Sequence, residues 1–307
     1  MSESLNFSET VKKIYLIIVL VFSLVPLCLS CLQDENKQSA YDITVDLDYR
    51  AFQPGEVIKL SIKDISDIKV VQSRFLGKKY CFGKGRNASE ALVFIGLDLG
   101  LKPGTYQMDI SVLYDDGKIQ HLKKKISVVE KEFPVKRLWV EEKFVTPPPK
   151  VHERIRWESE LLKAVYDIFT PRWLGDGKFI IPSEGKTVPN FGERRIFNNK
   201  PHSSHSGVDI TSPFGSPVKA SNSGKIVLAN DLYFAGKTVI IDHGLGVFTL
   251  YCHFSRILAK RGAFIKRGEI IGEIGATGRV TGPHLHWGVK ILGSRVDPFS
   301  LLSLEFE

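Results

Sequence analysis

The sequence predicts an all-β architecture in three pieces: a small N-terminal β-sandwich, a linker with one helix, and a C-terminal β-rich unit with an open groove. Three observations carry this reading. Between residues 41 and 130, short stretches alternate in polarity and are cut by Pro, Gly and Asp turn signals. A run of three prolines then precedes one stretch of helical period, and from residue 179 onward glycines separate runs of β-branched residues. At 307 residues, 43% apolar and 25% charged, the chain is long enough for two modest globular domains.

Residues 1–31 read as a signal peptide or membrane anchor. Lys12 and Lys13 precede an almost uninterrupted apolar run from Ile14 to Leu29, and a polar segment from Gln33 to Ser39 follows at once. The folded part is therefore expected in the cell envelope outside the cytoplasmic membrane, periplasmic or surface-exposed. Leu29-Ser30-Cys31 has the form of a bacterial lipoprotein signal end, with Cys31 as the lipidated residue, although Cys28 stands where that pattern prefers an aliphatic side chain. The residues leave lipidation, uncleaved anchoring and simple secretion open.

In the sandwich region, 41–130, strands are expected at Ile43–Leu47, Val57–Ile62, Leu92–Ile95, Tyr106–Leu113 and Ile126–Val129. Pro54-Gly55, Lys102-Pro103-Gly104 and Asp115-Asp116-Gly117 supply the turns. Such a module binds, spaces or covers more often than it performs chemistry. His121 sits between polar residues and reads as surface, and Asn87-Ala88-Ser89 matches a glycosylation acceptor to which a bacterial signal gives no role. The linker, 131–178, contains Thr146-Pro147-Pro148-Pro149, then an amphipathic helix from His152 to Phe169 with Ile155, Leu162, Val165 and Ile168 on one side, ended by Pro171. The helix either packs on the second domain or acts as a spacer. Cys81 and Cys252 fall in different domains and are expected to be unpaired and buried.

The C-terminal unit, 179–303, holds the chemistry. Strands are expected at Gly224–Leu228, Lys237–Asp242, Gly246–His253, Ile270–Ile274 and His284–Val289. Zinc hydrolase sites need three protein ligands of imidazole and carboxylate type with one position left open. His205-x-x-x-Asp209 brings an imidazole and a carboxylate to one point from an extended or turning loop, because Gly207 and the neighbouring serines disfavour a helix. In His284-Leu285-His286 the two imidazoles project from the same face of a strand, with Leu285 directed into the core. One of that pair can bind metal while the other touches substrate. Ser203, Ser204 and Ser206 lack a nucleophile elbow, Gly275-Ala276-Thr277-Gly278 lacks the Lys of a phosphate loop, and Cys252 reads as core.

These segments resemble the lysostaphin-type zinc endopeptidases, the LytM or M23 family. The matching runs are His205-Ser206-Gly207-Val208-Asp209, Tyr251-Cys252-His253-Phe254 and Gly275 through Trp287, with Phe191-Gly192-Glu193-Arg194 ahead of them. The resemblance covers roughly residues 182–300. It implies His205, Asp209 and His286 as ligands of one Zn2+, and His253 and His284 as catalytic histidines beside it. It implies that Arg194 helps form the substrate groove; His202, from its place near the metal loop, and Tyr251 are further groove candidates. The activity it implies is hydrolysis of peptide bonds in the cross-links or bridges of bacterial peptidoglycan. The alternative is a non-catalytic wall-binding or hydrolase-activating module, as in relatives that have lost ligands; this chain retains every expected position.

Lys and Arg outnumber Asp and Glu 42 to 34, which favours an anionic partner such as a wall polymer or a membrane face. No zinc-finger spacing, helix-turn-helix signature or basic stripe with interleaved aromatics is present, so nucleic acid is excluded as a partner. The expected partners are peptidoglycan peptides, the membrane through the N-terminal segment or Cys31, and a cell-envelope protein.

Overall fold

The computed structural model describes residues 43–85 and 89–306, with His202 and Ser203 described by their backbone alone. The apolar segment with Cys28 and Cys31, and Asn87, lie outside the described residues. Alternation builds the first layers. Strands β1 (Asp46–Tyr49), β2 (Val57–Lys63), β3 (Ile68–Phe75), β4 (Lys78–Cys81), β5 (Gly83–Lys84), β6 (Glu90–Gly96), β7 (Gly104–Tyr114) and β8 (Ile119–Val128) form two four-stranded sheets, ordered β1-β2-β6-β5 and β4-β3-β7-β8. Along β7, Met108, Ile110, Val112 and Tyr114 are buried while the residues between them are partly exposed, the period of a strand with one wet face.

β2 and β6 are buried on both faces, and the reason joins the two halves of the protein. One face of their sheet meets the C-terminal unit, so that Val57, Leu92 and Phe94 share a core with Trp173, Leu245, Val289, Ile291 and Leu301. Polar contacts seal the seam. Val57 donates its N–H to Ser300 Oγ at 2.8 Å, Asp297 donates to the Gly55 carbonyl at 2.7 Å, and the Arg295 guanidinium lies 2.8 Å from Asp98. Residues 44–307 consequently form one compact unit.

The C-terminal part contains β9 (Val135–Leu138), β10 (Lys186–Val188), β11 (Arg194–Phe197), β12 (Lys200–Ser204), β13 (Gly207–Thr211), β14 (Pro217–Lys219) and β15 (Gly224–Leu232). Beyond these lie β16 (Gly236–Asp242), β17 (Val247–Ile257), β18 (Phe264–Ile265), β19 (Ile270–Ile274), β20 (Leu285–Ile291) and β21 (Ser294–Val296). The large sheet runs β10-β13-β20-β17-β16-β15-β18 and stays open, with β14 and β19 paired beside it. Its core includes Val208, Ile210, Val239, Tyr251, Leu285 and Trp287. A separate three-stranded sheet, β12-β11-β9, stands over one end of the site.

Several expectations are corrected. Helix α1 (His152–Tyr166) stops before Phe169, and Ile168 lies beyond it and is exposed. The helix is not a spacer: Val165 packs with Val227, Leu228, Ile240 and Phe248 on the large sheet. The linker is not only a linker either, since Val135–Leu138 pairs in parallel with β11. Both cysteines are free, but Cys81 is exposed on an outward position of β4 and only Cys252 is buried. The short α2 (Pro298–Leu302) starts at Asp297, whose side chain caps it by accepting from the Phe299 N–H at 3.0 Å. Among the described residues no helix is long and apolar enough to cross a membrane.

Candidate metal centre and its cleft

β13 and β20 are antiparallel neighbours in a register that sets Asp209 opposite His286. Val208, Ile210, Leu285 and Trp287 are wholly buried, and this fixes the opposite parity of both strands, Asp209 and His286, on the cleft face. Asp209 thus stands on a strand, not in the loop that the sequence suggested. His205 enters just before β13. Its Nε2 lies 2.8 Å from His286 Nδ1 and 3.1 Å from Asp209 Oδ1, and Asp209 Oδ1 lies 3.2 Å from His286 Nδ1. Gly207 makes the approach possible. A Cβ there would lie 2.4 Å from the Trp287 carbonyl oxygen and 2.8 Å from His286 Cε1.

Asn190 holds this cluster. Its carbonyl accepts from His205 Nδ1 at 3.0 Å, which orients the ring so that Nε2 faces Asp209 and His286. Its side-chain amide donates to Asp209 Oδ2 at 2.9 Å and accepts from the Asp209 N–H at 3.1 Å. Arg195 donates to the same Oδ2 at 2.8 Å. Burial would raise the Asp209 carboxyl, but hydrogen bonds from His205 and His286 outweigh it and hold the group well below the usual carboxylate range. Asp209 is an anion with one oxygen tied back and the other presented to the imidazoles.

The two remaining histidines face the same space. At the β16–β17 bulge Cys252 and His253 together oppose Thr238, and His253 takes a left-handed backbone with φ of 69°. Its Nδ1 donates to the Thr277 carbonyl at 2.8 Å, so Nε2 is the free nitrogen. His284, just ahead of β20, donates from Nδ1 to the Gly282 carbonyl at 2.8 Å and points Nε2 to within 3.7 Å of Asp209 Oδ1. The His253 and His284 ring centroids are 5.0 Å apart. Burial pushes both imidazoles below their ordinary value, which favours the neutral form. Burial also pushes the Cys252 thiol up to about 12, so it is a neutral neighbour and not a nucleophile.

These residues line a cleft of ≈ 290 Å³. Lys136, Leu138 and Val140 of the linker form part of its wall together with Arg195, Phe197, Phe234 and Arg279. Of the groove candidates, Tyr251 does not reach the cleft: it is fully buried, and its hydroxyl accepts from the Ser221 N–H at 2.9 Å, inside the core. Arg194 is exposed and pairs across to β12, while its neighbour Arg195 takes the position beside Asp209. His202 lies on β12 and its side chain is outside the described residues. The sequence reading missed Asn190, Arg195 and the linker wall. Strand alternation after Gly192 was the available signal that only one of two consecutive arginines could face the site. His243, away from the cleft, is buried and bonded through both ring nitrogens to the Ser223 carbonyl and the Thr249 hydroxyl.

Two imidazoles and one carboxylate within 4.8 Å of one another, each oriented by its surroundings, suit a zinc ion with an open position. The comparisons agree with that chemistry. Residues 203–298 match the model of peptidase family M23. The chain carries a lysostaphin-type M23 metallopeptidase domain. A crystal structure described as peptidase M23 from Pseudomonas aeruginosa aligns over 83% of this chain and 96% of its own, at 29% identity and a TM-score of 0.63. The chain is 39% identical over 121 residues to the peptidoglycan DD-endopeptidase ShyA of Vibrio cholerae. It is 43% identical over 97 residues to the DD-carboxypeptidase/endopeptidase Mpg of Neisseria meningitidis. These matches take in 39% and 32% of this chain, and the chain spans only 28% and 22% of those two relatives. His205, Asp209 and His286 of the M23 domain form the ligand cluster of a single zinc site.

Proposed function

We propose that the protein is an exported zinc metalloendopeptidase that hydrolyses peptide bonds in bacterial peptidoglycan. The observation that carries this reading is the convergence of a His-Asp-His ligand set with two further imidazoles, His253 and His284, whose Nε2 atoms are left free by backbone carbonyls. The names of the two curated relatives supply the substrate class. His205, Asp209 and His286 would hold a zinc ion, which would supply Lewis-acid polarisation of a carbonyl and a water made nucleophilic near neutral pH. His284 and His253 share the proton work: a neutral Nε2 accepts the proton of the attacking water, and the resulting imidazolium stabilises the oxyanion and then protonates the leaving amine. Arg195 and Asn190 hold Oδ2 of Asp209 and so keep the carboxylate aimed.

The sandwich, the linker with its helix and the peptidase region are proposed as divisions at 41–130, 131–178 and 179–303. Action outside the cytoplasmic membrane, with attachment through the N-terminal segment or a lipidated Cys31, follows from the apolar run after Lys13. The test is mass spectrometry of purified peptidoglycan after incubation with the protein, its metal-stripped form and His286→Ala. New peptide ends formed only by the zinc-loaded wild type are expected. A folded, zinc-loaded sample that forms none would refute the enzyme and favour a wall-binding or activating module.

A further inference from the structure

The sandwich carries a charged face that the peptidase chemistry leaves unused. In the sheet β4-β3-β7-β8 the side chains of Phe75, Tyr80, Met108 and Ile110 are buried, so strand parity turns Arg74, Lys79, Asp109 and Lys123 outward. They stand in one row: Lys79 opposes Arg74, Arg74 opposes Asp109, and Asp109 opposes Lys123. Lys125 follows on the same side of β8. All four cations are exposed, and among the described residues none of them is ion-paired. Asp109, the one carboxylate in the row, accepts from the Gln107 amide at 2.7 Å instead.

Like charges directly opposed across a ladder, as Lys79 and Arg74 are, cost stability, so the sheet keeps a repulsive pair that an anionic surface would relieve. At one end of the same face Val70 and Ile119 are 45% and 59% exposed. Cations beside exposed apolar side chains on a flat sheet suit a planar partner, whose headgroups meet the charge and whose acyl boundary meets the apolar tips. The M23 domain takes the other sheet, through Val57, Leu92 and Phe94, and leaves this face uncovered. In the chain, only a short polar segment separates the sandwich from the apolar run Ile14–Leu29, which keeps it beside any bilayer that run enters.

We propose that the outer face of β4-β3-β7-β8 is a docking surface for an anionic phospholipid bilayer, engaged through Arg74, Lys79, Lys123 and Lys125. It shares with the peptidase reading only the location outside the cytoplasmic membrane, and it does not depend on catalysis.

Cys81 supplies a native reporter, since it is exposed on this face opposite Gln72. The full chain is reconstituted through its apolar run on vesicles of phosphatidylcholine alone or mixed with phosphatidylglycerol. Peptide mass spectrometry then gives the rate at which a neutral maleimide alkylates Cys81. In the wild type the anionic vesicles should slow alkylation by about 10-fold or more, because each basic residue near such a surface contributes about 5-fold in binding. Arg74→Gln, Lys123→Gln and Lys125→Gln combined should bring the two rates together, as should high salt. The variant on the same anionic vesicles also controls for the effect of the surface on thiol ionisation. Zinc content and melting temperature show that it is folded. Equal wild-type rates on the two vesicles, or a slowing that the triple variant keeps, overturn the proposal. So does a triple variant that loses only its binding to purified peptidoglycan, which would give the face to the wall polymer. A wild type that shields Cys81 on anionic vesicles yet cleaves no peptidoglycan sinks the peptidase reading and leaves the lipid surface standing.

Discussion

Asp209 and His286 are directly opposed on adjacent antiparallel strands, and Asp209 Oδ1 lies 3.2 Å from His286 Nδ1. Opposed residues on one face of a sheet have their Cβ atoms roughly 5 Å apart, so the pleat itself supplies two of the three donors at metal-binding distance. Removal of either member is expected to take the bound zinc from one per chain to none. Atomic absorption on His286→Ala and Asp209→Ala checks this, with an unchanged far-ultraviolet spectrum showing that the sheet persists. Stoichiometric zinc in either variant contradicts the ligand set.

Asn190 touches the cluster three times, through its carbonyl and both ends of its amide. Asn190→Ala leaves the carbonyl and deletes the amide, so Asp209 loses two partners. Zinc affinity should fall by about 10- to 100-fold, the usual cost of losing an outer partner of a ligand. Competition with a chromogenic chelator measures it, and an unaltered affinity would show that Arg195 alone suffices.

His253 holds its free nitrogen toward the cleft at a left-handed backbone position. His253→Ala should lower kcat by about 10²–10⁴, the range for losing a general acid or base, while zinc content stays at the wild-type level. Loss of metal in this variant would instead make His253 a ligand.

Gly207 is expected to tolerate no side chain, because a Cβ there meets the His286 ring. Gly207→Ala should push apart the β13–β20 pair at Trp287, displace that imidazole and weaken zinc binding. A chelator titration that matches the wild type would refute the steric argument.

His243 gives a pH signature independent of the metal. Burial pushes its imidazole down to about 4 from an ordinary 6.5, so the unfolded chain binds the proton that the folded chain refuses. The stability involved is fully present above pH 6.5 and is lost as pH falls toward 4, about 3 kcal/mol across that window. Denaturant unfolding at several pH values, compared between wild type and His243→Gln, reads it. The substitution should flatten the acid slope; parallel slopes would assign the acid loss elsewhere.

What could be read from the sequence followed from period and spacing. His284 and His286 announce a shared face because strands alternate, and Leu285 between them is buried as that parity requires. His205 and Asp209 were readable as a pair, but not as loop and strand, because Gly207 hides the strand that begins there. Tyr251 was misread because aromatic residues near a motif look like groove walls, whereas its hydroxyl is satisfied inside the core. Asn190 and Arg195 were beyond reach for another reason. Their role is set by a tertiary approach to Asp209, and no local period encodes which of two adjacent arginines turns inward. The parallel pairing of Val135–Leu138 with β11 escaped similarly, since its partner lies far along the chain and the strand is short.

The seam between the sandwich and the M23 domain has a bearing on inheritance. Val57, Leu92 and Phe94 finish a hydrophobic layer begun by Val289, Ile291 and Leu301, and β9 completes a wall of the cleft. In this protein residues 203–298 are therefore not self-contained: joined to a foreign partner they would expose an apolar back and lack one wall of the cleft. Ser300 and Gly55 hold that seam through Val57 and Asp297, so a change at either is felt on both sides of it.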